Sequence, residues 1–266
     1  MTGTIEAIGY GVSTTFPDLR VGQPVLAYHF KGRCYAEYAS IPAADVTPLP
    51  DNVDLDDAVS IPNYQVSWAM LHHAARGIEG RTVYINGAAG GIGSAVIQIG
   101  RLEGRTVIAG ASSDEKCSFA RSQGANHVIN YSRENAIERV LEFTSGRGAD
   151  LVLDHIIGPR FNDSLGMLAT MGLVVSFNAL GGPPESDLFR AMRAHLPKCP
   201  AVRCFTMHGY DHDPVGRRQV RDAVMLLFAG GKVKPPIHAR LPLAEAPRAH
   251  EILDARRVLG KLLLKP

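Results

Sequence analysis

The stretch VYINGAAGGIGSAVIQIGRLEG, residues 83–104, reads as a strand, a glycine turn and a helix. Written as G-x-G-x-x-G, it puts Ala88, Gly90 and Gly93 in the three special places. The missing side chain at Gly90 lets backbone approach a pyrophosphate, and the one missing at Gly93 lets helix and strand pack closely. Free N–H groups at the helix start favour an anion there. A glycine-rich turn alone is a weak signal. Placed after the first strand of a βαβ unit, it points to a dinucleotide.

Which dinucleotide depends on the end of the next strand, where an acidic side chain would hold the 2′-hydroxyl of NAD. The residues there are IAGASSDEK, so Ala111 and Ser112 take that place and Lys116 follows, a cation suited to a 2′-phosphate. NADPH is therefore favoured over NADH. Asp114 has two readings: an NAD-reading acid displaced by a residue or two, or an acid in the first turn of a helix capped by Ser113. His155 directly follows the fourth strand of the same region and either lines the cofactor cleft or is a local structural feature. The cluster HGYDHD at 208–213 is read as a solvated loop with Asp213-Pro214 starting a helix, rather than as a metal site. Of His72 and His73, after Trp68 on a helix, one is expected to pack and the other to face solvent.

These residues need a scaffold. From residue 81 short apolar runs alternate with helical stretches, the pattern of a parallel sheet with crossover helices. The expected strands are 82–86, 106–111, 127–130, 150–154 and 173–177, with helices at 91–103, 114–123, 134–144 and 160–169. In the first helix Ile92, Ala95, Val96 and Ile99 form one apolar stripe. Before residue 62, Gly and Pro punctuate expected strands at 4–8, 24–29, 35–41 and 46–49. A helix at 214–229, an extended KVKPPIHARLPL, a short helix after Pro247 and a last strand GKLLLK complete the chain. The fold class is α/β: a doubly wound parallel-sheet domain over 63–236, a β-rich domain over 1–62, and a tail, 237–266, that returns to the β-rich part.

The 266 residues are 45% hydrophobic and 20% charged, a globular balance. A net charge of +2 and a pI near 8.4 are too mild to argue for nucleic acid or a membrane surface, which leaves a small-molecule partner. There is no run of 18 apolar residues and no signal-peptide pattern. Cys34, Cys117, Cys199 and Cys204 form neither a CxxC pair nor a zinc spacing, and are read as reduced thiols of a cytoplasmic protein.

Several stretches together resemble one family: RVGQPVLAY, CYAEYASIPA, LPDNVDLDDAVSIP, NGAAGGIGSAVIQIGRLEG, SSDEKCSFARSQGANHVINY, DLVLDHIIGPRF, GLVVSFNALGG and LPLAEAPRAHEILDARRVLGKLLLKP. The chain is similar over essentially its whole length to the zeta-crystallin-like quinone oxidoreductases of the medium-chain dehydrogenase/reductase superfamily. The resemblance implies a Rossmann domain and a partial GroES-like domain built from the N- and C-terminal segments. It implies that Gly90, Gly91, Ile92 and Gly93 contact the pyrophosphate, and that Ser112, Lys116 and Tyr131 surround the adenosine ribose phosphate, with Arg256 approaching from the C-terminal segment. Tyr131 could instead be a capping aromatic. Phe177 and Asn178 would lie beside the nicotinamide ribose, and Ser67 stands where the family usually has Thr near the nicotinamide. Two departures stand out: Gly87 replaces the Ala that opens the family's AxxGxxG motif, and Asn178 replaces a usual Gly.

The family reduces quinones, enones or related electrophilic carbonyl compounds by hydride transfer from NADPH without zinc, and a homodimer formed through the edge of the nucleotide-binding sheet is expected by analogy. No catalytic residue is assigned, because such chemistry asks the protein mainly to place the cofactor against the acceptor and exclude water. Against the family the opening MTGTIEAIGYGV corresponds to a middle strand of the GroES-like domain, so the usual N-terminal segment is expected to be missing, leaving an open β-rich domain and an unroofed nicotinamide site. Two readings therefore compete with the reductase: an NADPH-binding protein with little or no turnover, and an RNA-binding moonlighter. The weak charge and the absence of an RNA motif weigh against the second.

Overall fold

The computed structural model of the chain describes every residue except 30, 31, 33, 79 and 186. Packing divides it into two compact units, Met1–Pro62 with Met225–Pro266, and Asn63–Val224.

The first unit opens with a three-stranded antiparallel sheet: β1 (Thr2–Thr4), β2 (Pro24–Ala27) and β3 (Val46–Pro48), with β2 in the middle. A four-residue helix, α1 (Val12–Thr15), lies between β1 and β2. The expected strand at 4–8 is displaced to Thr2–Thr4. Its partner β2 begins at Pro24 opposite Thr4, and the pairing closes just beyond, where the Ile5 N–H meets the Gln23 carbonyl at 3.1 Å and Gly22, at φ 82, turns the chain away. The expected strand at 35–41 does not form: 35–38 is a series of bends. Both edges of β2 are taken by β1 and β3, and the segment pairs with no described strand.

Helix α2 (Leu55–Ala58) follows, capped by Asp54, whose carboxylate accepts from the Asp56 and Asp57 N–H groups at 2.9 and 3.1 Å. Next come α3 (Ile61–Ala69) and a single π-type turn, Met70–Ala74. Neither histidine of that turn is left to solvent alone. His72 Nε2 is 2.8 Å from Glu103 Oε1, and His73 Nδ1 is 2.7 Å from the Tyr210 hydroxyl.

The second unit is built on six parallel strands: β4 (Thr82–Asn86), β5 (Thr106–Ala111), β6 (His127–Asn130), β7 (Ala149–Asp154), β8 (Leu168–Ser176) and β9 (Ala201–Cys204). They lie in the order β6-β5-β4-β7-β8-β9, every neighbouring pair parallel. The intervening helices are α4 (Gly91–Leu102), α5 (Asp114–Ser122), α6 (Ala136–Phe143), α7 (Phe161–Gly166) and α8 (Leu188–Ala194). The central strands are apolar and β-branched because parallel strands are covered on both faces. Val83, Ile85, Ile108, Val152, Leu153 and Val174 are fully buried. On α4 Ala95, Val96 and Ile99 are buried as the stripe requires, while Ile92 is half-buried at the helix start.

In β8 the strand runs from Leu168, five residues before the expected start, with a register irregularity where it leaves Ala149 and rejoins β7 at Leu151. Strand β9 has no counterpart in the sequence reading. Its residues AVRC are mostly exposed and pair on one side only, so they lack the buried alternation that marks a strand.

Helix α9 (Pro214–Ala229) leads to the tail, where β10 (Ile237–Pro242), α10 (Ala246–Asp254) and β11 (Lys261–Lys265) form a parallel two-stranded crossover. These strands pair with each other and do not join the β1-β2-β3 sheet. Ion pairs fasten the tail to α2: Asp56 meets Arg240 at 2.5 Å and also Lys265, and Asp57 meets Lys234 at 2.6 Å. Among the described residues no helix is long and apolar enough to cross a membrane.

Candidate cofactor site

The strand order reverses between β4 and β7, and ligands of open parallel sheets bind at such a switch point, outside the carboxyl ends of the strands. Pairing sets Asn86 beside Gly110, Ala111 beside Asn130, and Asp154 beside Ser176. The residues that follow, Gly87, Ser112, Tyr131, His155 and Phe177, therefore leave the sheet along one edge. Candidates from five distant stretches of sequence meet there.

At the glycine turn each position has its own physics. Gly87 has φ +67, and a Cβ on it would lie 2.0 Å from the His155 Cε1 atom. Gly93 is held against Ala88, where a Cβ would lie 2.6–2.7 Å from three backbone atoms. Gly90 caps α4 with φ −83, open to any residue, and its Cβ would meet nothing nearer than 3.6 Å. The fold therefore demands glycine at 87 and 93 but not at 90. Its carbonyl accepts from the Ser94 N–H and hydroxyl, both at 2.9 Å, and Gly91 and Ile92 open the helix half-buried beside it. Ala88 is fully buried and gives its N–H to Gly110 at 3.0 Å. Ser67 is also fully buried, its hydroxyl 2.8 and 3.2 Å from the carbonyls of Asn63 and Ile92, so it braces the helix start from beneath.

At the end of β5, Lys116 Nζ donates to the Ser112 hydroxyl at 3.2 Å. Tyr131 stands beside them, its N–H on the Ala111 carbonyl at 3.1 Å and its ring packed at the margin of the core. The structure adopts the capping arrangement for Asp114. Ser113 Oγ accepts from the Lys116 N–H at 3.3 Å, and the Asp114 carboxylate accepts from Asn130 Nδ2 at 2.8 Å and pairs with Arg133. The Arg133 guanidinium, then the Asn130 amide, hold that carboxyl below its ordinary pKa.

Across the switch point, Asp154 ends β7 almost fully buried. It accepts from the Ile156 N–H at 2.9 Å, the Ile157 N–H at 3.2 Å and the Ser164 hydroxyl at 2.8 Å, with Asn86 Nδ2 at 3.4 Å. Sequence reasoning passed over this residue, although a lone carboxylate closing the apolar run LVLD was the signal available. The loops after β7 and β8 are laced together: Phe177 N–H reaches the Asp154 carbonyl, Leu180 N–H the His155 carbonyl and Gly181 N–H the Ile156 carbonyl, at 3.2, 3.0 and 2.8 Å. Phe177 is half-buried, and Asn178 is exposed, its side chain accepting from the Ala179 N–H at 2.8 Å. Arg256 belongs to the other unit, exposed at the end of α10 with φ 55.

The HGYDHD segment forms a local network, with His208 and Arg217 on Asp211 at 3.0 and 3.1 Å and Asp213 accepting from the Gly216 N–H at 2.9 Å. No group of three His, Cys, Asp or Glu is placed to hold a metal among the described residues.

Residues 91–233 match the family model described as zinc-binding dehydrogenase. Over 265 residues the chain is 30% identical to a quinone oxidoreductase of Pseudomonas aeruginosa, covering 99% of this chain and 80% of that protein. The chain belongs to the zeta-crystallin-like quinone oxidoreductase family of the medium-chain dehydrogenase/reductases. A 2-haloacrylate reductase of a Burkholderia species is 29% identical over 98% of this chain and 78% of its own length. The solved structure of Escherichia coli quinone oxidoreductase complexed with NADPH superposes with a TM-score of 0.89 at 26% identity, covering 100% of this chain and 80% of that one. Gly87 and Asn178 both lie on this sheet edge, one facing His155 and the other following Phe177.

Proposed function

We propose that this chain is an NADPH-dependent oxidoreductase that reduces a quinone, an enone or a similar electrophilic carbonyl compound without zinc. The observation that carries the cofactor reading is Gly90. The fold leaves it room for a side chain and a conformation any residue adopts, so its glycine is explained by something that must approach the turn closely. The residues present fit a dinucleotide. Gly90, Gly91 and Ile92 would present α4 to its pyrophosphate, with Gly93, Ala88 and Ser67 fixing where the helix begins. Ser112, Lys116 and Tyr131 would receive the adenosine ribose phosphate, and Phe177 and Asn178 the nicotinamide ribose. The role of Arg256 rests on the family resemblance alone.

When bound, the reduced nicotinamide supplies a hydride to the electrophilic carbon of the acceptor. The chain's part is to orient the cofactor and keep water from the reacting face. Residues 1–62 and 237–266 are assigned to a GroES-like substrate domain and 63–236 to the nucleotide-binding domain. A homodimer through the sheet edge is supported by β9, which pairs on one side only and exposes Ala201, Arg203 and Cys204. A cytoplasmic setting is supported by the four free cysteines.

Lys116→Ala tests the cofactor reading. A hydrogen bond to a charged group contributes about 1.5–3 kcal/mol, so NADPH should bind roughly 10- to 100-fold more weakly while NADH changes little. Nicotinamide fluorescence titration measures both. Equal losses for the two cofactors, or none for either, would contradict the assignment of Lys116 to the 2′-phosphate.

A further inference from the structure

His155 is the side chain of the switch point that the proposed chemistry leaves without a role. Its ring stands where Gly87 lacks a Cβ, with Cε1 2.0 Å and Nε2 2.7 Å from that position. It also meets the Phe177 ring at a centroid distance of 5.5 Å and an interplanar angle of 33°. One imidazole thus touches both the glycine turn and the loop after β8. Those are the two segments that flank the switch point on its opposite sides.

The surroundings make this more than filling. Gly87 hands its position on to the helix cap: its carbonyl accepts from the Gly90 N–H at 3.2 Å, and its N–H is held by Asn86 Oδ1 at 3.0 Å. The His155 carbonyl anchors Leu180. The ring is hydrogen-bonded to the Asn86 backbone, while Nδ1 is buried with no partner. Burial holds the imidazole below its ordinary pKa against the opposing pull of Asp154, so the ring is neutral at neutral pH. A neutral ring adds no charge beside a pyrophosphate but fixes the spacing between the two loops. A glycine at 87 and a histidine at 155 thus occupy a single volume, each conditional on the other.

We propose that His155 is a positioning residue for the nicotinamide dinucleotide, acting as a wedge between Gly87 and Phe177 that sets the helix cap against the nicotinamide loop. This rests on the cofactor reading given above. His155 lies beside the proposed cofactor residues and acts through them, so removing it should loosen binding without dismantling the sheet.

The test is a double-mutant cycle read by NADPH fluorescence titration and thermal unfolding on the full chain. His155→Ala should weaken NADPH binding about 10-fold or more, since small misplacements at such sites are expensive. Gly87→Ala should weaken it at least as much, because its methyl collides with the ring. The double variant should bind better than Gly87→Ala alone, a coupling that distant sites do not show. Recovery stays partial, since a left-handed φ disfavours any Cβ. In 15N-histidine spectra the resonance absent from His155→Ala should move when NADPH is added to wild type. If Gly87→Ala does not fold, His155→Ala and the spectrum decide. Wild type that binds NADPH, with His155→Ala binding equally well and the histidine signal unmoved, overturns the wedge and leaves the cofactor reading standing. Wild type that fails to bind NADPH overturns both.

Discussion

Gly93→Ala is expected to destabilise the nucleotide-binding unit by about 2–3 kcal/mol, the upper part of the range for overpacking, and to abolish measurable NADPH binding. The added Cβ would lie 2.6 Å from Ala88 Cα and 2.7 Å from its carbonyl carbon and oxygen. No flexible side chain is available to give way. Ala88 is fixed by its hydrogen bond to Gly110 at the end of β5, and Gly93 by a helix whose Ala95, Val96 and Ile99 are buried against the sheet. Relief requires α4 to lift at its N-terminus, which is where the proposed pyrophosphate binds. Gly90→Ala provides the contrast. With 3.6 Å to the nearest atom it should leave stability within about 0.5 kcal/mol of wild type, as for substitutions that disturb no packing. It should still weaken NADPH, because there the space belongs to the ligand. Urea unfolding and fluorescence titration of the two variants separate the effects, and equal stability losses would refute the distinction.

Asp154→Ala carries the other large effect, an expected destabilisation of about 3–5 kcal/mol. The carboxylate is nearly fully buried and accepts from two backbone N–H groups and the Ser164 hydroxyl. Hydrogen bonds to a charged group contribute about 1.5–3 kcal/mol each, and buried donors left without a partner cost about 1–3 kcal/mol more. The loss reaches the backbone, because Ile157 sits at φ 56 and ψ −117, a conformation costly for a β-branched residue, with its N–H on Asp154. Removing the carboxylate frees that turn to relax. Asp154→Asn keeps one acceptor oxygen for the two N–H groups and offers its amide to Ser164 Oγ, so its loss should be about half as large. The midpoint shift in urea unfolding measures both, and an Asp154→Ala variant as stable as wild type would show that the network does not hold the loop.

Much of the nucleotide-binding unit was legible because its elements obey strong periodicities. Strands 82–86, 106–111 and 127–130 are where the apolar runs put them, and the glycine turn announces α4. What was not legible depends on partners. The segment YAEYA has strand-like alternation but pairs with no described strand, while AVRC in β9 has little strand signal and forms where β8 offers an edge. At the site, the competing roles of Asp114 look identical in sequence. They separate only when Asn130 and Arg133, from the end of β6 and the turn after it, are seen on its carboxylate. Asp154 went unassigned, and His155 stayed between lining the cofactor cleft and a local structural role, for the same reason. Their meaning lies in Ile156, Ile157, Ser164, Gly87 and Phe177, which converge only in the folded sheet.

The measurement closest to the central claim is the consumption of reduced nicotinamide, followed by absorbance, when the chelator-treated chain meets a panel of quinones and enones. Saturable oxidation of NADPH, faster than that of NADH at equal concentration and unaffected by the chelator, is the predicted result. Tight NADPH binding without oxidation across the panel, or activity that appears only when zinc is restored, would contradict it.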